Sequence, residues 1–140
     1  MSRDPSTASA LELTRRSFKA ANSGDFDAMM SFYGPDSVFD MAPWGLGTYV
    51  GLAAIRTFFE DWIGGFDELE MRLEEVLDLG HGVVLAVARQ DARPVGSNAH
   101  LRLRHAAVSV WLDGVAFRVK NYRDLAEGRA VAKHVARSIE

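Results

Sequence analysis

From Asp67 to Asp124 the sequence alternates apolar and polar residues with a period of two, and only short turns interrupt the pattern. This alternation constrains the fold more than any other feature of the chain. It predicts strands over residues 67–79, 83–93, 100–112 and 115–124. Strands that follow one another at hairpin spacing form an antiparallel sheet.

Helical patterns precede these strands at residues 10–22, 26–33 and 51–66, and another follows them from 126 to about 139. A short strand is predicted over residues 37–41. Thr7 or Ser9 could cap the first helix, and Ser9 stands three residues before Glu12, which is the spacing of a capping box. Asp25 is placed to cap the second helix. Helices gathered early in the chain must cover one face of the later sheet. The predicted fold class is therefore α+β.

Composition narrows the function classes. A chain of 140 residues predicts one domain over residues 1–140, with residues 1–8 as a disordered lead. The net charge of -3 comes without a block of Lys and Arg, which argues against nucleic acid as a partner. No cysteine is present, so disulfides and cysteine nucleophiles are excluded. Without an apolar run of about 18–20 residues or an apolar signal core, we expect a cytoplasmic protein with no membrane partner.

The last strand carries one polar residue where the pattern calls for an apolar one. Val115, Phe117 and Val119 form an apolar row, and Asn121 occupies its next position. A buried amide needs hydrogen-bond partners. Asn121 is therefore a candidate for holding a water or a substrate carbonyl, although it could equally satisfy neighbouring backbone groups.

Four other polar residues are candidates for the same site. Arg89 and Asp91 stand two apart on one strand and share a face, Asp40 comes from the first strand, and His105 lies on the strand at 100–112. If they converge with Asn121 in an apolar cavity, two carboxylates in a low dielectric would raise the pKa of one of them. That would provide a general acid or base near neutral pH.

Each of these residues also has a simpler interpretation. Arg89 and Asp91 could form a solvated ion pair near the strand end, and Asp40 could cap the loop that follows it. His105 could be a structural or interface histidine. Both rows of the strand at 100–112 are partly apolar, so the row that faces the core stays open.

Aromatic residues are spaced to supply the apolar walls of a pocket. The candidates for ligand contact are Phe18, Tyr33, Trp44, Phe58 and Trp62. Trp44, in the glycine-rich loop at 43–48, could line a pocket mouth or simply cover the core. The four histidines are scattered without the spacing of metal ligands, so we expect neither a metal nor a cofactor.

Four segments together resemble a known superfamily. They are residues 21–27, 33–39, 51–59 and 113–124. In this order and spacing the chain resembles the nuclear-transport-factor-two-like superfamily, and in particular its SnoaL-like members. The resemblance implies a curved, mixed or antiparallel sheet wrapped around helices in a cone, with an internal pocket. It also implies a homodimer formed through the outer sheet face.

The catalytic residues of the ketosteroid isomerases of this superfamily are absent from the corresponding positions of this chain. Their general-base Asp corresponds to Ala42 here, and their oxyanion-hole Tyr corresponds to Ser17. The second oxyanion-hole acid corresponds to Val108. Steroid isomerisation by that mechanism is therefore not expected.

The limonene-epoxide-hydrolase-like pattern matches more closely. Arg89 and Asp91 match its Arg-x-Asp pair, and Asp40 stands where that family keeps a water-holding Asn. Val38 replaces the Tyr of that site, and Asn121 replaces its second Asp. Loss of that carboxylate argues against epoxide opening. In SnoaL-like cyclases the same region carries an acid–base Asp, for which Asp91 is the nearest candidate.

These comparisons lead to a functional expectation. We expect a pocket for a hydrophobic small molecule that bears a carbonyl or hydroxyl group. Cofactor-free acid–base catalysis of the cyclase, isomerase, dehydratase or hydrolase type would use Asp91, Asp40 or His105, with Arg89 and Asn121 positioning the substrate. The alternative is a non-catalytic ligand-binding or dimerisation module.

Overall fold

The computed structural model describes residues 8–139 of the chain. The helices are α1 (Ala10–Ser23), α2 (Phe26–Met30), α3 (Leu52–Gly64) and α4 (Leu125–Ser138), with a 3-10 turn at Ala42–Trp44. The strands are β1 (Val38–Asp40), β2 (Thr48–Val50), β3 (Phe66–Asp78), β4 (Val83–Pro94), β5 (Leu101–Leu112) and β6 (Val115–Tyr122). The predicted lead at residues 1–8 lies almost entirely outside the described residues. No helix within residues 8–139 is long and apolar enough to cross a membrane.

The six strands form one open, curved, mixed sheet in the order β2-β1-β6-β5-β4-β3. The late strands pair with their neighbours in antiparallel register, as the hairpin spacing predicts. β1 instead lies parallel to β6. Parallel neighbours need a long connection, and here the chain between them includes the 3-10 turn, α3 and four strands. The predicted α+β class is confirmed. The strand β2, which pairs with β1, was not predicted.

Helices cover both faces of the sheet, and this differs from the expectation of one covered face. The inner face packs against α1 and α3, around a core that includes Phe39, Ile55 and Phe58. The outer face packs against α4, whose Ala132 and Ala136 lie against alternate residues of β4, β5 and β6. This second layer explains why β4 and β5 are apolar on both sides.

Three register shifts interrupt the pairing of the strands, the first of them between Phe66 and Glu68. The pairing of β3 with β4 shifts again between Leu73 and Glu75, which leaves Glu74 as an extra residue in β3. The pairing of β5 with β6 shifts at Trp111, which leaves Phe117 as an extra residue in β6. Val119 and Asn121 still face the interior, whereas Phe117 leaves the predicted row and is only half-buried.

Side-chain caps fix the ends of the early helices. Ser9 Oγ accepts a hydrogen bond from the Glu12 backbone N–H at 3.1 Å, so Ser9 caps α1 as predicted. Asp25 caps α2 in the same way, through the backbone N–H of Ala28. These caps fix where α1 and α2 begin, and both helices contribute residues to the wall of the cavity described below.

A side-chain amide covers the free edge of β3. Asn22, at the end of α1, donates from Nδ2 to the Met71 carbonyl at 2.8 Å and accepts from the Met71 N–H at 2.7 Å. The Asn22 amide thus takes the place of a neighbouring strand at one position of an exposed edge. It also ties α1 to the sheet beside the cavity.

We expect Asn22→Ala to lower the free energy of unfolding by about 1 kcal/mol, because both bonds are partly open to water. Urea denaturation would measure the change. Lys19→Ala, at an exposed position of the same helix, is the matched control for helix propensity. An Asn22→Ala variant as stable as Lys19→Ala would show that the edge contact contributes nothing.

Candidate functional site

The interior between α1, α3 and the inner face of the sheet contains a cavity of two adjoining lobes. The α3 lobe, of about 70 Å³, is bounded by residues of α3 such as Phe58 and Trp62. The α1 lobe, of about 90 Å³, is bounded by residues of α1 such as Phe18. Both lobes share a wall that includes His105 and Asn121. The walls are otherwise mostly apolar.

Seven of the ten residues predicted for the site line this cavity. Trp44, Phe58 and Trp62 line the α3 lobe, Phe18 and Tyr33 line the α1 lobe, and His105 and Asn121 line both. The position of His105 also shows which row of β5 faces the core. The row that contains His105 faces the cavity, and the opposite row packs against α4.

Arg89 and Asp91 lie on the outer face of the sheet, which corrects the expectation that they join the cavity. Asp91 accepts hydrogen bonds from Arg89 Nε at 3.1 Å and from Arg102 Nε at 2.9 Å. The hydrogen bond from Arg102, together with the charge of Arg89, lowers the pKa of the Asp91 carboxyl. Asp91 is thus a carboxylate within an arginine cluster. Its pKa is lowered, whereas the pKa of a general acid would be expected to be raised.

Asp40 also lies outside the cavity, contrary to the same expectation. Its Oδ1 accepts from the Ala42 backbone N–H at 2.9 Å and from Thr48 Oγ1 at 3.1 Å. The Lys120 ammonium lies 3.7 Å from its other oxygen. Asp40 therefore holds the loop after β1 in place. Its neighbour Phe39 points inward, because successive residues of a strand face opposite sides.

Gln90 is a cavity residue that we did not predict. It lies on β4 with 3% of its surface exposed and lines the α3 lobe. Its signal in the sequence is the same as that of Asn121, since Gln90 ends the apolar row Val84, Ala86 and Ala88. The prediction instead selected the charged neighbours Arg89 and Asp91, whose side chains lie on the outer face of the sheet.

Three polar side chains of neighbouring strands lie on one diagonal of the inner face. Gln90 pairs with Leu103, two residues before His105, and Asn121 pairs with Ala107, two residues after it. Side chains at such diagonal positions stand about 7–8 Å apart. His105 is therefore flanked by an amide on each side.

Burial sets the charge state of His105. His105 has 8% of its surface exposed, and its imidazole stacks on the Phe18 ring with the centroids 6.4 Å apart. Burial lowers the pKa of His105 to about 4, so the ring is neutral at physiological pH. Tyr33 is the only other ionisable residue of the two walls within the described part of the chain, and burial raises its pKa.

Three N–H donors on the wall of the α3 lobe have no partner within residues 8–139. They are Trp44 Nε1, Gln90 Nε2 and Asn121 Nδ2, and all three atoms are buried. A buried donor without an acceptor is unfavourable, and such groups are rare in folded proteins. A ligand or water that brings an oxygen acceptor into the α3 lobe would satisfy them.

Solved structures with this fold share little sequence with the chain. A candidate polyketide cyclase from Xanthomonas campestris pv. campestris is 25% identical with a TM-score of 0.66, over 88% of this chain and 96% of that one. An NTF2-like protein from Burkholderia pseudomallei is 20% identical with a TM-score of 0.72, over 86% and 95%. TerC, crystallised with polyporic acid, is 18% identical with a TM-score of 0.71, over 89% and 98%.

A search of curated proteins gave no match. The family profile described as the SnoaL-like domain, in contrast, matches residues 14–117 of this chain. That range runs from α1 into β6 and includes most of the cavity wall. The chain therefore belongs to the SnoaL-like domain family.

Proposed function

We propose that the chain is a cofactor-free enzyme that binds a hydrophobic carbonyl compound in the cavity and moves a proton with His105. The observation that carries this proposal is a set of three N–H donors that have no partner among residues 8–139 and lie on the same wall as a neutral imidazole. Buried donors of residues that line one mostly apolar lobe suit a ligand with a carbonyl oxygen. They would also stabilise the negative charge that develops on that oxygen during proton removal.

The proposed step is proton transfer at the carbon next to the carbonyl. The ligand oxygen accepts hydrogen bonds from Asn121 and Gln90, which acidifies the neighbouring C–H. The unprotonated nitrogen of His105 takes that proton, and the electron pair of the C–H bond becomes the enolate. Negative charge close to the imidazole raises its pKa, so the ring becomes a better base as the transition state forms. Return of the proton to the same or another carbon completes an exchange or an isomerisation.

Acetophenone in D₂O provides a direct test, because loss of its methyl proton signal by NMR reports enolate formation. We expect saturable catalysis of this exchange by the protein. His105→Gln should slow the exchange about 100-fold while acetophenone binding stays within a few-fold of that of the wild type. Asp91→Asn, on the outer face, is the control and should exchange at the wild-type rate.

Two other outcomes point elsewhere. If His105→Gln exchanges as fast as the wild type, His105 is not the base. If acetophenone binds saturably without any exchange, the protein is a non-catalytic binding module, which is the second candidate. The absence of a carboxylate from both cavity walls, within residues 8–139, favours that candidate over an aspartate-dependent enzyme.

The resemblance also implies a homodimer through the outer sheet face. In this chain α4 covers part of that face, and Arg129 of α4 pairs with Glu75 of β3 there. An interface would have to use α4 together with the arginine cluster around Asp91. The dimer stays a prediction, which sedimentation analysis would check.

A further inference from the structure

The Gln90 side chain is held in one orientation by Trp62. Trp62 Nε1 donates to Gln90 Oε1 at 3.2 Å. An indole N–H can only donate, so the oxygen of the Gln90 amide must face it. The NH₂ group of Gln90 consequently points away from Trp62, and its nitrogen is buried without a partner within residues 8–139. Trp62 thus determines that Gln90 offers the lobe a donor rather than an acceptor.

The other orphaned groups of the α3 lobe have the same polarity. Trp44 Nε1 and Asn121 Nδ2 are donors, and neither has a partner within the described residues. Among residues 8–139, no Lys, Arg, Asp or Glu lines the α3 lobe or the α1 lobe. A buried charge without a counter-charge is strongly disfavoured. The complementary ligand is therefore uncharged and carries an oxygen that accepts hydrogen bonds.

The volume of the cavity limits the size of that ligand. The lobes measure about 70 Å³ and about 90 Å³ and adjoin along the shared wall of His105 and Asn121. An engineered apolar cavity of about 150 Å³ in another protein binds benzene. The two lobes together have space for one ring and a small substituent, whereas two fused rings would require the walls to move.

We propose that the site selects uncharged single-ring carbonyl compounds, and that Trp62 determines this specificity by holding the Gln90 amide as a donor. The inference rests on the proposed function only in that it places the ligand in the same cavity. It adds the ligand class, and it assigns a positioning role to a residue that does not take part in proton transfer.

Three probes with the same number of heavy atoms test the polarity of the site. Acetophenone has a carbonyl oxygen, 1-phenylethanol has a hydroxyl that also donates, and isopropylbenzene has no polar atom. In titrations followed by NMR, the wild type should bind acetophenone about tenfold more tightly than isopropylbenzene, with 1-phenylethanol between them. A fourth probe, 2-acetylnaphthalene, adds a fused ring and should bind at least about tenfold more weakly than acetophenone.

The variant Trp62→Phe keeps an aromatic wall and removes the indole N–H. Gln90 is then free to turn its oxygen toward the lobe, where it can accept from a hydroxyl. We expect the ratio of acetophenone affinity to 1-phenylethanol affinity to fall about fivefold. Trp111→Phe is the matched control, because Trp111 lines the α1 lobe and its Nε1 donates to Ser109 Oγ at 3.0 Å instead. Its affinity ratio should stay at the wild-type value.

Thermal unfolding would first show that both variants fold. If Trp62→Phe does not fold, Gln90→Met provides the second test, and it should bring acetophenone affinity close to that of isopropylbenzene. An unchanged affinity ratio in a folded Trp62→Phe variant, or tight binding of 2-acetylnaphthalene, would overturn the inference. Failure of the proposed function alone would appear as selective binding of acetophenone without methyl exchange. A wild type that binds none of the probes would overturn this inference as well.

Discussion

Acidification from pH 6.5 to pH 4 is expected to lower the free energy of unfolding by about 3 kcal/mol through His105 alone. Burial lowers the pKa of this residue to about 4, whereas the unfolded chain keeps the ordinary value of 6.5. Between these values the unfolded state binds the proton more readily than the folded state. The stability contributed by neutral His105 is thus fully present above pH 6.5 and is lost as the pH falls through about 4.

Urea denaturation of the wild type and of His105→Leu, each from pH 4 to pH 7, would isolate this effect. Carboxylates whose pKa is lowered by arginines, such as Glu75 and Asp91, also add to acid sensitivity, but they do so equally in both proteins. The wild type should lose more stability than the variant across this window. Parallel curves for the two proteins would mean that His105 is hydrated or paired in solution. The same pKa predicts that proton exchange by His105 slows as the pH falls through about 4, because the ring is then protonated before it can act as a base.

Much of the fold can be predicted from local sequence patterns, which do not depend on contacts between distant parts of the chain. The period-two alternation from Asp67 onward specifies four strands, and short glycine turns specify their antiparallel order. Ser9 and Asp25 mark the beginnings of α1 and α2, because each cap bonds a backbone group only three residues away. Such signals involve residues that are close together in the chain, so a single sequence is enough to detect them.

Elements that depend on long-range contact could not be predicted in the same way. β2 has three residues, too few to show a period, and it exists because it pairs with β1. The displacement of Phe117 depends on the register between β5 and β6, which the order of residues within one strand does not contain. The outer position of α4 likewise depends on which face of the sheet remains free.

The placement of α4 also explains why the polar candidates were only partly located. Val83 and Leu85 begin one row of β4. This row lies on the outer face of the sheet, where α4 packs over Val83 and Leu85 and buries them. Arg89 and Asp91 continue that row beyond the helix, where they reach solvent. The sequence shows that Gln90 belongs to the opposite row, but it does not show which row encloses a cavity. Asn121 was located because its strand has only one apolar row.

The largest loss of stability is expected from Gly82→Ala, in the turn between β3 and β4. Gly82 has a φ of +79°, in the left-handed region that disfavours a side chain. A Cβ at this position would also collide with the backbone carbonyl oxygen of Trp111. That carbonyl belongs to β5, and the Trp111 N–H in turn donates to the Gly82 carbonyl at 2.8 Å. The two backbones approach so closely that neither can move without breaking this bond.

Gly80→Ala is the matched control, since Gly80 has a φ of +85° in the same turn, and within residues 8–139 a Cβ added there would have no atom within 4 Å other than those of its chain neighbours. It should lose about 1–2 kcal/mol of unfolding free energy from the backbone conformation alone. Gly82→Ala should lose about 4 kcal/mol or more, because backbone overlap adds to the same conformational term. Chemical denaturation of the two variants measures the difference. Equal losses would show that β4 and β5 can separate at Trp111, and the α1 lobe that Trp111 borders would then have a flexible wall.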